Sequence, residues 1–137
     1  MESDMGGVPG TRGNPWILKT PGGAVAYIAF RDPAHAPPAI VVRVHGVEAR
    51  YRLRCLNDLD EMLKAHGDWM PLGGAGEQEP AASGSVEGWA RSAGNPVNGW
   101  YGLTKGFRGG FALYIPPIMQ ALTLAEIDET LLQMRAA

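Results

Sequence analysis

The strongest constraint on the fold is a pair of β-type runs that meet at His45-Gly46. From Val47 to Arg54 the chain alternates strictly, with Val47, Ala49, Tyr51 and Leu53 on one side and Glu48, Arg50, Arg52 and Arg54 on the other. Period two over eight residues marks a half-buried strand. The preceding run, Ala39 to His45, carries the β-branched residues Ile40, Val41, Val42 and Val44, which suit a pleated surface. A tight hairpin at His45-Gly46 follows from the two runs together. A further strand is read over Ala24–Arg31, with Ala26, Ile28 and Phe30 on one face and Val25, Tyr27 and Ala29 on the other. Pro21-Gly22-Gly23 and the proline-rich stretch Asp32–Pro38 bound it as turn and loop. The N-terminal half thus reads as a three-stranded antiparallel meander, with Trp16–Lys19 a short extended piece before it.

The rest of the chain is interrupted too often for a bundle or coiled coil. It carries 19 glycines and 11 prolines in 137 residues, nearly twice the average usage. Hydrophobic residues at 45% still supply one core. Helical spacing appears from Asn57 to His66, with Asn57 as N-cap, Asp58, Asp60 and Glu61 in the first turn, and Gly67 after the end. Leu59, Met62 and Leu63 form its apolar stripe. Pro71–Gly84 reads as the most mobile loop. Ser85 is placed to cap a short helix through Arg91 that carries Trp89 inward. Over Gly99–Ile115 the four-residue recurrence of Leu103, Phe107, Phe111 and Ile115 competes with Gly102, Gly106, Gly109 and Gly110, which oppose a helix. A Gly-rich loop or helical turn before a short apolar segment is expected there. Pro116-Pro117 suits a helix start. Thr123-Leu-Ala-Glu126 has the form of a capping box opening a last helix, with Leu124, Ile127, Leu131 and Met134 as its stripe. The expected class is α+β: a three-stranded meander packed against three or four short helices, in one domain over residues 14–137 after a flexible arm over residues 1–13.

Several functions are disfavoured. The longest apolar run, Ala24–Phe30, has seven residues, against about 20 for a membrane span, so no membrane contact is expected. Met1–Met5 lacks the apolar core of a secretory signal, and a cytoplasmic address is expected. Cys55 is the single cysteine, and three dispersed histidines show no metal-ligand spacing. Neither a metal nor a cofactor is expected. A net charge of −2 argues against duplex binding as the main task.

Four blocks resemble a family of small bacterial proteins of unknown function: Gly10-Thr-Arg-Gly-Asn-Pro-Trp-Ile-Leu-Lys-Thr-Pro-Gly22, Met62-Leu-Lys-Ala-His-Gly-Asp-Trp-Met-Pro-Leu72, Asn95-Pro-Val-Asn-Gly-Trp-Tyr-Gly-Leu103 and Tyr114-Ile-Pro-Pro-Ile-Met-Gln-Ala-Leu122. Together they span nearly the whole chain. Gly110 and Asn98 depart from the pattern, which has Arg and Gly there, and the missing Arg weakens any anion-binding role of that loop. The resemblance implies a stand-alone bacterial domain of a type found among accessory or mobile genes, and no reaction.

Three constellations are candidates for function. Arg50, Arg52 and Arg54, with Arg43 and His45 alongside, form a basic strand face that suits phosphate, nucleic acid or an acidic partner. The competing reading is a solvated outer face, partly neutralised by Glu48 and the helix acids. In Gly99–Phe111, backbone N–H groups with Lys105 and Arg108 form a nest for an anion, and Trp100, Tyr101 and Phe107 offer stacking surfaces. The competing reading has aromatics in the core and glycines at turns. His66 and Asp68 could serve acid–base chemistry, but a histidine in a last helical turn needs no such explanation. No catalytic residue is assigned. The favoured reading is a non-enzymatic binding or interaction domain that self-associates and takes a small ligand or protein partner. The alternatives are a nucleic-acid or phosphate-ligand binder, and a small hydrolase or transferase around His66 and Asp68.

Overall fold

A computed structural model of the chain describes residues 8–137. Its first half is an antiparallel sheet of Trp16–Lys19 (β1), Ala26–Asp32 (β2), Ala39–Val44 (β3) and Val47–Arg52 (β4), in sequential order. The meander therefore has four strands and not three. Four residues are too few to show a period, yet Trp16 pairs with Ala29 and Lys19 with Ala26. The hairpin turn places His45 at φ 50° and Gly46 at φ 77°, the doubly left-handed pair whose twist matches flanking strands. Trp16, Tyr27, Ala29, Ile40, Val42, Ala49 and Tyr51 are buried on the inner face. Arg43, Glu48, Arg50 and Arg52 alternate with them in register and point to the other face.

After β4 the chain turns through Leu53 and Arg54 into a helix over Cys55–His66 (α1). The expected cap at Asn57 is displaced: the helix begins two residues earlier, and no side chain caps it. Arg54 stands at the N-cap, off the strand, and its Nε donates to Asp58 at 2.7 Å. An acid in the first turn meets this cation instead of a cap. Leu59 and Leu63 are fully buried, and the helix ends at left-handed Gly67.

Met70–Pro71 (β5), Ala125–Asp128 (β6) and Gln133–Ala136 (β7) form a second sheet in the order β5-β7-β6. The helix expected from Thr123 is thus a hairpin. Thr123 has φ 59°, and its hydroxyl donates to the Leu122 carbonyl, whereas an N-cap needs extended backbone. Asp128 Oδ1 accepts from the N–H groups of Thr130 and Leu131 and closes the turn. Ile127 faces Met134, which also pairs with Met70. Cross-strand pairing overrides the local helical signal.

Three short helices close the core: Val86–Trp89 (α2), Phe111–Tyr114 (α3) and Pro116–Ala121 (α4). Ser85 caps α2 as expected, accepting from Gly88 N at 3.0 Å, and the prolines open α4. Two buried tyrosines tie the inner sheet face to this layer: Tyr27 donates to the Tyr114 carbonyl and Tyr51 to that of Gly109, each at 2.7 Å. The arm expected over residues 1–13 is docked from Gly10 onward, whose carbonyl accepts from Arg31 N; residues 1–7 lie outside the described residues.

Candidate functional site

An open groove of about 650 Å³ lies within the size range of ligand sites. The last turn of α1 contributes Met62, Ala65 and His66, and β5 contributes Met70. The opposite wall runs from Ala81 to Ser85 and on through Gly88, Trp89, Arg91 and Ser92. Trp89 stacks against Tyr101, with ring centroids 5.2 Å apart, and presents its remaining surface to the groove. The lining accordingly combines two thioethers and an indole with serine hydroxyls, one imidazole and the Arg91 guanidinium. His66 is exposed, and its Nε2 contacts the Trp69 carbonyl at 3.2 Å, while Asp68 accepts from Trp69 N. Histidine and carboxylate are thus turned to the backbone and not to each other. The Ser85 hydroxyl is spent on the α2 cap and on the Ala82 carbonyl.

The Gly-rich segment behaves differently. Tyr101–Leu103 runs beside β4: Arg52 N donates to the Tyr101 carbonyl and Leu103 N to that of Arg50. Tyr101 is fully buried, and its hydroxyl donates to Asp58 at 2.8 Å. Burial, then that carboxylate, push the phenol well above its usual range. Its stacking surface is occupied by Trp89 and Phe111. The guanidinium groups of Arg91 and Arg108 lie 4.5 and 4.7 Å from the Trp100 ring centroid. Of the three aromatics offered as stacking surfaces, Tyr101 is packed inside the fold, Trp100 is half-buried between the two guanidinium groups, and Phe107 is exposed.

The anion nest exists, and the chain fills it. Glu77 Oε1 accepts from Arg108 N and Arg108 Nε, each at 2.9 Å, and from Gly106 N at 3.1 Å. The Arg108 side chain, together with the backbone N–H groups, holds the Glu77 carboxyl down at about 2. Gly110 N donates to the Ala75 carbonyl, and Arg91 donates to the carbonyls of Ala75 and Glu79. Any Cβ on Gly109 would overlap the backbone of Gly76 and Glu77. Part of the loop expected to be most mobile is therefore fastened to the Gly-rich segment. Beneath Arg91 lies Glu87, 1% exposed, with Oε2 on Arg91 at 2.7 Å and Oε1 on Ala112 N at 2.9 Å. Sequence reasoning missed Glu77 and Glu87; the i,i+4 spacing of Glu87 and Arg91 was the one available signal.

The model of a family of unknown function, DUF6855, matches residues 8–136. The chain belongs to DUF6855. No curated protein and no solved structure matches it. In this member of DUF6855, the Met62–Leu72 block builds one wall of the groove. Within the Asn95–Leu103 block, Asn95 is buried and acts as a hub: its Nδ2 donates to the carbonyls of Trp89 and Gly99, and its Oδ1 accepts from the N–H groups of Val97 and Gly99.

The remaining basic residues separate. Arg54 and Arg108 are paired with Asp58 and Glu77. Arg43 and Arg50 share Glu48. No carboxylate among the described residues pairs with Arg52, and Lys105 is exposed beside Thr104, whose hydroxyl accepts from Arg50 N. Burial pushes the Cys55 thiol well up from its usual range, which keeps it unreactive. Among the described residues, no three His, Cys, Asp or Glu side chains are grouped to hold a metal ion, and no helix is long and apolar enough to cross a membrane.

Proposed function

We propose that the chain is a non-catalytic recognition domain whose groove receives large apolar or aromatic side chains from an extended segment of a partner protein. The apolar lining of Met62, Met70 and Trp89 carries this reading. Thioethers adapt their shape and favour aromatic edges, and an indole braced from behind offers a rigid contact surface. The fastening of Glu77 and Glu87 supports it further, because it makes the opposite wall a preformed surface. Peptides selected from a phage library on the wild-type chain test it. Their affinity should fall by about tenfold or more, ~1.4 kcal/mol, when exposed Ala65 is replaced by Trp to fill the groove. Selected peptides that bind Ala65→Trp as well as wild type would refute it.

Self-association is a second element, supported by Ile17, Leu131 and Leu132, which are 83%, 68% and 46% exposed. A strictly monomeric species in concentrated sedimentation runs would remove it. A bacterial, cytoplasmic setting completes the proposal, and the free, buried Cys55 fits a reducing compartment.

A further inference from the structure

We propose that the outer face of the four-stranded sheet docks a phosphodiester strand, namely single-stranded nucleic acid. The register sets this face apart from the core. Arg43 lies opposite Glu48, Arg50 opposite Val41, and Arg52 opposite Ala39. Arg12 joins them from the docked N-terminal segment, its guanidinium 4.8 Å from the ring of Phe30 on the same face and 3.5 Å from Asp32. Four arginines thus meet only two carboxylates there, Glu48 and Asp32. Lys105 adds a further cation at the β4 edge, next to Thr104.

Unmatched charge and spacing point to an external anion and not merely a solvated face. Arg43 and Arg50 share the single carboxylate of Glu48, and no carboxylate among the described residues pairs with Arg52. In addition, Arg50 and Arg52 stand two residues apart on one strand face, a repeat of about 7 Å. That interval is close to the separation of successive phosphates on an extended strand. Guanidinium groups suit such a chain because their paired donors match phosphate oxygens. The smallness of the patch and the overall charge of −2 fit a few phosphates of a flexible strand, and not a duplex held by a broad basic field.

Fluorescence anisotropy of a labelled oligothymidylate tests the proposal. Four engaged cations, Arg43, Arg50, Arg52 and Lys105, predict a slope of log K against log[salt] near −2.8, at about −0.7 per phosphate, so affinity falls roughly 50-fold from 50 to 200 mM salt. Replacing Arg52 and Lys105 together by Gln should reduce the magnitude of that slope by about 1.4, two contacts at about 0.7 each. If that variant fails to fold, Arg43→Gln with Lys105→Gln, both on exposed side chains, should give the same reduction. Three results would overturn the proposal: no anisotropy change at low salt, a slope that a folded variant leaves unaltered, or displacement of the oligonucleotide by poly-glutamate at equal charge concentration.

Discussion

Replacing Glu87 by Ala tests the buried charge network that shapes the groove wall. The carboxylate is 1% exposed and satisfies two donors, Arg91 Nη2 at 2.7 Å and Ala112 N at 2.9 Å. The Arg91 side chain is itself 11% exposed. Alanine would leave a guanidinium without its counter-charge and a backbone N–H without an acceptor in a nearly dry site. Removing one partner of a buried pair costs about 3–5 kcal/mol, of which an unsatisfied N–H accounts for ~1–3 kcal/mol. Arg91 keeps its bonds to the carbonyls of Ala75 and Glu79, which places the expected loss near the lower bound, about 3 kcal/mol. For a domain of this size that is ~10 °C in Tm. Urea unfolding followed by tryptophan fluorescence is the assay, because Trp89 and Trp100 flank the network. The Glu87→Gln variant keeps an acceptor for Ala112 N and should lose less. Glu87→Met with Arg91→Met should lie closer to wild type than Glu87→Ala, since no unpaired charge remains. A loss below about 1 kcal/mol for Glu87→Ala, or additive effects of the two sites in a double-mutant cycle, would refute the reasoning.

The Glu77 carboxyl titrates at about 2 in the fold against 4.5 ordinarily. A lowered folded-state value means that its stabilisation is complete above about pH 4.5 and is lost as the pH falls towards 2. Glu77→Gln should therefore flatten the acid limb of stability; equal slopes of Tm against pH for variant and wild type would contradict this. Gly109→Ala should destabilise by at least about 1–3 kcal/mol, because the new methyl group meets backbone that has no rotamer to yield. Limited proteolysis should then cut first within Ala75–Glu79, and an unchanged digestion pattern would argue against the fastening.

Elements with a long, clean period were legible in the chain, and those made by distant pairing were not. The alternation through Val47–Arg52 predicted which side of β4 is buried, and Tyr51 is fully buried there. The hairpin at His45-Gly46 was legible because only certain residue pairs tolerate two successive left-handed conformations. β1 was underread because four residues carry no statistical weight. The error at Thr123 has a different cause. Leu124, Ile127, Leu131 and Met134 fit helical spacing, yet Ala125, Ile127, Met134 and Ala136 also fit two paired strands. The deciding partner, Met70, is more than sixty residues away in sequence, and a local pattern contains no information about it.

In the Gly-rich segment, the donors offered as a candidate anion nest meet a carboxylate of the chain itself. Backbone N–H groups beside Arg108 do form an anion-binding cradle, and the anion is Glu77 of the same chain. Nothing in Gly106-Phe-Arg-Gly109 distinguishes an internal carboxylate from an external phosphate, because both ask for the same donors. What distinguishes them is the other strand of backbone, Ala75–Glu77, which lies close enough that Gly109 can carry no side chain. A tethered carboxylate also has an entropic advantage over a free one, since its loop is already held by Arg91 and Gly110. A free anion would have to displace it against that effective concentration. The cations with spare capacity are those whose neighbours offer too few carboxylates, and the register of β3 and β4 gathers them on the outer face of the sheet.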